Sequence, residues 1–217
     1  MRKAAIILCG GKSSRMGSDK ATLPFGPEQM LQRVVRLIGD AVALERILVV
    51  AAPNQMLPEL PHGVSVVRDT HQDRGPLEGL ATGLRALTDR VDAVYSTACD
   101  VPLLVPAFVD RMFDLLGEFD IAVPFDGEHH HPLAAVYRPT VLTHIERLLN
   151  SQRMRPRFLF DEVRTREIPV ELLRVVDQQL LTLENLNYEQ DYLRALNNAG
   201  FTVPLDTSKT IAVDDQE

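Results

Sequence analysis

Short apolar runs alternate with longer stretches of helical period along most of the chain. Residues 4–8 (Ala-Ala-Ile-Ile-Leu), 46–51, 64–68, 91–98 and 121–124 are compact apolar or β-branched runs, and they predict strands. Residues 28–41 place Leu31, Val34, Val35 and Ile38 on one helical face, and 77–88 do the same with Leu80, Leu84 and Leu87. Pro106 opens a predicted helix over 106–117. A strand over 133–138, a helix over 140–149 and a last helix over 188–199 follow. Strands apolar on both faces and separated by helices predict an α/β fold: a three-layer α/β/α sandwich around a mostly parallel central sheet, in a single domain. Residues 150–157 (N-S-Q-R-M-R-P-R) read as a polar, basic connection. The domain is expected to span 1–201, and the Pro, Asp, Thr and Ser of 202–217, ending D-D-Q-E, predict a loosely ordered acidic tail.

Composition narrows the classes. The 217 residues suffice for one domain with a sizeable core. A formal net charge of −7 argues against a general nucleic-acid binder, which needs a surplus of Lys and Arg, but leaves room for an anionic small molecule held by a few local cations. Two cysteines, Cys9 and Cys99, imply no disulfide framework, and a reducing cytoplasm is the expected location. No apolar run approaches the ~20 residues of a membrane span, so no membrane partner is expected. The apolar stretch after Met-Arg-Lys runs straight into glycines, which fits a first strand better than a signal peptide.

The candidate chemistry begins at "LCGGKSSRMGSDK", residues 8–20. It is not a P-loop, because Ile6 stands where G-x-x-x-x-G-K-[ST] needs its first glycine, and it is not G-x-G-x-x-G, because the glycines fall at 10, 11 and 17. A strand followed by G-G-x-x-x-R-M-G-x-D-K remains. Gly10 and Gly11 lack Cβ, so their backbone N–H groups can close on a triphosphate. Arg15 offers a forked donor to phosphate oxygens and Lys20 a point charge. Further along, Cys99-Asp100-Val101-Pro102-Leu103 ends an apolar strand, where a carboxylate points to the ligand-binding edge of an open α/β sheet. Asp100 is the expected Mg²⁺ ligand, since Mg²⁺ takes one or two carboxylates together with phosphate oxygens and water.

L-x-G-G-x-S-x-R-M-G-x-D-K resembles the signature of the molybdenum cofactor guanylyltransferases, nucleotidyltransferases with a Rossmann-like sheet; Cys9 stands where alanine is usual. The resemblance runs from about residue 4 to 200 through Arg74-Gly75-Pro76-Leu77-Glu78-Gly79-Leu80, the Cys99–Leu103 segment, His131-Pro132-Leu133-Ala134-Ala135-Val136-Tyr137-Arg138, and Asn185-Leu186-Asn187-Tyr188, where Tyr188 replaces the usual threonine. It implies transfer of GMP from GTP to the phosphate of molybdopterin or Mo-molybdopterin, with Mg²⁺ as cofactor and pyrophosphate released. Molybdoenzyme-maturation proteins are the implied downstream partners. The implied catalytic residues are Arg15, Lys20 and Asp100. The implied nucleotide-binding residues are Leu8, Cys9, Gly10, Gly11, Lys20, Asp69, Gly75, Pro76, Gly79 and Asp100. The acceptor would meet His131, Tyr137, Arg155, Asn185 and Asn187. Gly10-Gly11 favours the guanylyl branch, since cytidylyl relatives tend to carry alanine-glycine there. The same chemistry with CTP or a sugar-phosphate acceptor stays open, as does a non-catalytic nucleotide-binding partner protein.

Three further features have plainer readings beside the sharper ones. His129-His130-His131 are consecutive and cannot easily converge on one zinc ion. Asn187 reads as an N-cap of the last helix with Gln190 completing a capping box. Cys9 and Cys99 are expected to end neighbouring strands, within disulfide reach if their side chains share a face and inert if they do not.

Overall fold

The computed structural model describes residues 1–9, 19–69, 71, 74–87 and 91–201. Its centre is a seven-stranded sheet of order β5-β4-β1-β6-β8-β7-β9. The strands are β1 Lys3–Leu8, β4 Ile47–Ala51, β5 Ser65–Arg68, β6 Ala93–Ala98, β7 Ile121–Phe125, β8 Ala134–Tyr137 and β9 Thr165–Pro169; β2 Pro24–Phe25 and β3 Glu28–Gln29 form a separate small hairpin. All neighbours in the large sheet are parallel except β8, which runs antiparallel to both β6 and β7.

The alternation within β1 explains the three layers. Ala5, Ile7 and Cys9 face one core, beneath α1 (Met30–Gly39) and α3 (Pro106–Leu116). Ala4, Ile6 and Leu8 face the other, beneath α2 (Pro76–Leu87) and α4 (Leu142–Asn150). Successive side chains of a strand point to opposite faces, so a strand covered on both sides must be apolar throughout. Helix α2 comes unusually close: a Cβ on Gly83 would lie 2.6 Å from Ile6 Cδ1, and one on Gly79 3.1 Å from Leu8 Cδ2.

A third apolar cluster fixes α6 (Glu189–Asn198) against the small hairpin. Phe25, Met30, Leu186, Tyr192, Ala195 and Leu196 are buried together, the Tyr192 hydroxyl donates to the Pro24 carbonyl, and the Phe25 and Phe201 rings meet edge to face. This docking carries the 185–187 segment to the sheet.

Several expectations shift. The predicted helix over 28–41 starts at Met30, because Glu28 and Gln29 pair with Pro24 and Phe25. The 150–157 connection runs into a one-turn helix, α5 (Arg157–Phe160). Strand β9 was not foreseen: only Ile168 of its five residues is buried, so it carries no strand-like apolar run. The predicted tail, 202–217, lies outside the described residues.

Candidate active site

In the large sheet the strand order reverses between β1 and β6, the place where open α/β sheets form a crevice beyond their carboxyl ends. The two strands are paired Leu8 to Ala98, and their ladder runs one residue further, Cys99 N donating to the Leu8 carbonyl at 3.1 Å, while on the other side of β1 Cys9 N donates to the Val50 carbonyl of β4 at 2.8 Å. Asp100 therefore leaves the sheet next to the end of β1, where Cys9 stands. Its Oδ2 accepts a hydrogen bond from Lys20 Nζ at 2.7 Å, and its Oδ1 one from Asn185 Nδ2 at 3.0 Å. The Asp100 carbonyl accepts from Leu186 N at 3.1 Å, which ties the late segment to the same point. The side chains of Lys20 and Asp100 are 17% and 12% exposed, so water screens the pair only in part while the edge stays reachable.

Cys9 and Cys99 end neighbouring strands as expected. They belong to the same core cluster, both are buried and form no disulfide, and a hydrogen bond with the Cys99 thiol, together with burial, pushes the Cys9 pKa well above its ordinary value.

On the nucleotide side, Gly10, Gly11 and Arg15 lie outside the described residues. Asp69 follows β5, its N–H donating to the Ala51 carbonyl at 2.8 Å and its Oδ1 accepting from His71 N at 2.9 Å. Gly75 adopts φ +74°, a left-handed conformation that favours glycine, just before Pro76 opens α2. Gly79 has a packing reason of its own in the contact with Leu8.

Oxygen and nitrogen atoms of Asp69, His71 and Glu78 lie within 4.8 Å of one another, near enough for one cation. Glu78 is buried, and Arg74 Nη1 stands 3.1 Å and Arg85 Nη1 3.6 Å from its carboxylate. Two guanidiniums already neutralise that carboxylate, which disfavours a metal ion there. Arg74 also donates to the Leu149 carbonyl at 2.8 Å, so the cluster fastens the start of α2 to the end of α4.

The acceptor side needs two corrections. Tyr137, expected to meet the acceptor, is 1% exposed, sits in the core under α2 and α4, and donates its hydroxyl to the Pro132 carbonyl at 2.8 Å. Because β8 runs antiparallel to β6, Tyr137 pairs with Val94 near the start of β6, away from the edge that carries Asp100. The N-cap of α6 is Tyr188 rather than Asn187, and the reciprocal partner is Asp191, whose Oδ2 accepts from the N–H groups of Asn187 at 3.1 Å and Tyr188 at 3.0 Å.

The histidines do not converge. His130 pairs with Glu167 at 2.7 Å and His131 with Asp126 at 3.2 Å. The Asp126 carboxylate also accepts from the N–H groups of His129 and Glu128, which draw its pKa down to about 2. His131 stays at the carboxyl edge, since the β8 residue just beyond it, Ala134, pairs with Thr97. Arg155 is exposed, while the neighbouring Arg153 and Arg157 both lie over the Phe158 ring.

The reversal point, with a lysine and an amide converging on a single carboxylate, is the crevice of a Rossmann-like sheet, and the family match makes its class that of the nucleotidyltransferases. Within that class the chain belongs to the MobA-like NTP transferase domain family, which residues 5–166 match. It is 37% identical over 205 residues to the probable molybdenum cofactor guanylyltransferase of Mycobacterium avium, covering 92% of this chain and 97% of that one. The Mycobacterium tuberculosis H37Rv protein of the same description is 33% identical over 189 residues, covering 85% and 88%. In fold, the chain is similar to molybdopterin-guanine dinucleotide biosynthesis protein A from Archaeoglobus fulgidus, with a TM-score of 0.74 at 19% identity over 91% of this chain and 98% of that one. It is also similar to the 2-C-methyl-D-erythritol 4-phosphate cytidylyltransferase of Thermus thermophilus, with a TM-score of 0.66 at 14% identity over 91% and 99%.

Proposed function

We infer that the protein transfers GMP from GTP to the phosphate of molybdopterin or Mo-molybdopterin and releases pyrophosphate. The observation that carries the reading is the convergence of Lys20 and Asn185 on Asp100 where β1 and β6 part. The description of relatives as probable molybdenum cofactor guanylyltransferases supports the choice of acceptor and base.

The residues at this point suit a magnesium ion. Asp100 is a single hard-oxygen ligand at an accessible edge, and Mg²⁺ characteristically takes few protein carboxylates and completes its shell with phosphate and water. Asp100 would hold the ion, which when bound supplies neutralisation of the triphosphate charge. Asn185 orients the carboxylate by donating to Oδ1. The Lys20 ammonium, a compact charge on a flexible stem, can exchange the carboxylate for a phosphate oxygen. Arg15 and the N–H groups of Gly10 and Gly11 are assigned to the triphosphate, with Leu8, Cys9, Asp69, Gly75, Pro76 and Gly79 lining the nucleotide side. His131, Arg155 and Asn187 are assigned to the acceptor.

The acceptor phosphate is anionic at neutral pH, so it needs no general base to attack the α-phosphorus. The chain's task is positioning and charge stabilisation. A cytoplasmic location and delivery of the product to molybdoenzyme-maturation proteins belong to the same reading. Among the described residues, no helix is long and apolar enough to cross a membrane.

Pyrophosphate release with molybdopterin and Mg²⁺, compared across GTP, CTP and ATP, tests the reading. Release with GTP alone is expected. Release with CTP alone would keep the reaction class and refute the guanylyl assignment.

A further inference from the structure

One side chain outside the sequence-derived set touches both flanks of the glycine-bearing segment. Gln55 lies in the loop after β4. Its Nε2 donates to the Cys9 carbonyl at 3.0 Å and to Asp19 Oδ1 at 2.9 Å, and its Oε1 accepts from Ala52 N at 3.1 Å. The partners fix the amide's orientation: turned over, its oxygen would face a carbonyl and a carboxylate, and its NH₂ would face an N–H. The loop that carries it is held in turn by Arg68 of β5, whose Nη1 donates to the carbonyls of Ala52 at 3.0 Å and Gln55 at 2.8 Å.

On the far side, Asp19 passes the constraint on. The same Oδ1 accepts from Ala21 N at 3.0 Å and so caps the 3-10 turn Lys20–Thr22, from which Lys20 Nζ reaches Asp100 Oδ2 at 2.7 Å. A path of hydrogen bonds and adjoining backbone therefore leads from the edge strand β5, through Gln55 and Asp19, to the charge beside Asp100.

We propose that Gln55 is a positioning residue for nucleotidyl transfer: by joining Cys9 to Asp19 it sets the point from which Lys20 reaches the reacting phosphates. The proposal rests on the function inferred above. Both Gln55 donors are occupied by the chain itself, so its influence passes through Asp19 and Lys20 rather than through contact with substrate. The bond to Asp19 is charge-assisted and among the stronger kinds. Without it, Lys20 would sample a wider range of positions, and small misplacements of a reacting charge are costly in rate.

The test is a double-mutant cycle of Gln55→Met and Lys20→Met in the full chain. It is read on kcat/KM for pyrophosphate release, on the Kd of Mg-GTP and on the thermal midpoint. Methionine keeps the length and the apolar stem of Gln55 but donates nothing. Gln55→Met is expected to lower kcat/KM about ten- to a hundredfold, with the thermal midpoint lowered by several degrees but the protein still folded at the assay temperature. In the Lys20→Met background the same substitution should cost less than about threefold, because the group it positions is already gone. Gln55→Glu, which sets a second carboxylate against Asp19, should lose at least as much as Gln55→Met. An equal loss with and without Lys20, or a parent-like rate for Gln55→Met, overturns the proposal. If the parent binds Mg-GTP but releases no pyrophosphate, the transfer reading falls and the cycle is decided on Kd by the same criterion. If the parent binds no nucleoside triphosphate, both fall.

Discussion

At Asp100 a carboxylate meets two donors of different kinds, and the difference assigns their tasks. Asn185 is neutral and fixes geometry; Lys20 is charged and can exchange partners. Away from this point, Glu28 shows how the framework behind it holds its own charges. Its carboxylate accepts from Arg36 at 2.7 Å and from Arg33 Nη1 at 3.3 Å, and the hydrogen bond from Arg36 chiefly holds its pKa below the ordinary 4.5. A depressed carboxyl contributes stability that is complete above the unfolded value and is lost as pH falls through the folded one. Wild type is therefore expected to exceed Glu28→Gln in stability by a constant margin near neutrality. That margin should shrink as pH falls below about 4.5 and vanish once pH has dropped below the lowered folded value. Urea titrations of both proteins across that range check it; a margin independent of pH would contradict the assignment.

At the scale of elements, the helix–sheet contact at α2 sets the tightest requirement. A methyl group on Gly83 would lie 2.6 Å from Ile6 Cδ1 and 2.9 Å from Ile6 Cγ1, inside a side chain that is fully buried. Gly83→Ala should destabilise by roughly 1–3 kcal/mol, as overpacking in a closed core does, and Ile6→Val should recover part of the loss by removing Cδ1. Denaturant midpoints of the single and double variants test this; an unchanged midpoint for Gly83→Ala would refute it.

The same elements show what the sequence carries and what it does not. β1, β6 and α3 announce themselves because the strands are buried on both faces and mostly apolar, as is one stripe of the helix. β9 has one buried residue and pairs only with β7 at the edge, so its order comes from a neighbour rather than from its own pattern. Tyr137 was placed by its motif, but the antiparallel course of β8 decides where it goes, and residue pattern does not encode strand direction. Gln55 had no legible role at all, since a glutamine after Ala-Pro-Asn reads as a solvated turn. Its partners are 46 and 36 residues away.

At the scale of the whole molecule, one topological feature organises the chemistry. The chain crosses from one half of the sheet to the other between β1 and β6, and among the described residues Lys20, Asp100 and Asn185 meet where those strands end. Lys20 and Asn185 stand 80 and 85 residues from Asp100 in sequence, yet both reach its carboxylate, because the α6 cluster and the early hairpin pack against the same edge. The central claim is that this carboxylate holds the metal for nucleotidyl transfer. The most direct measurement is the magnesium dependence of pyrophosphate release from GTP and molybdopterin, for wild type and Asp100→Asn side by side. Magnesium-dependent release by wild type is expected, with a loss of about a thousandfold or more in Asp100→Asn and the fold retained. Release by Asp100→Asn within about tenfold of wild type, at the same magnesium requirement, would contradict it.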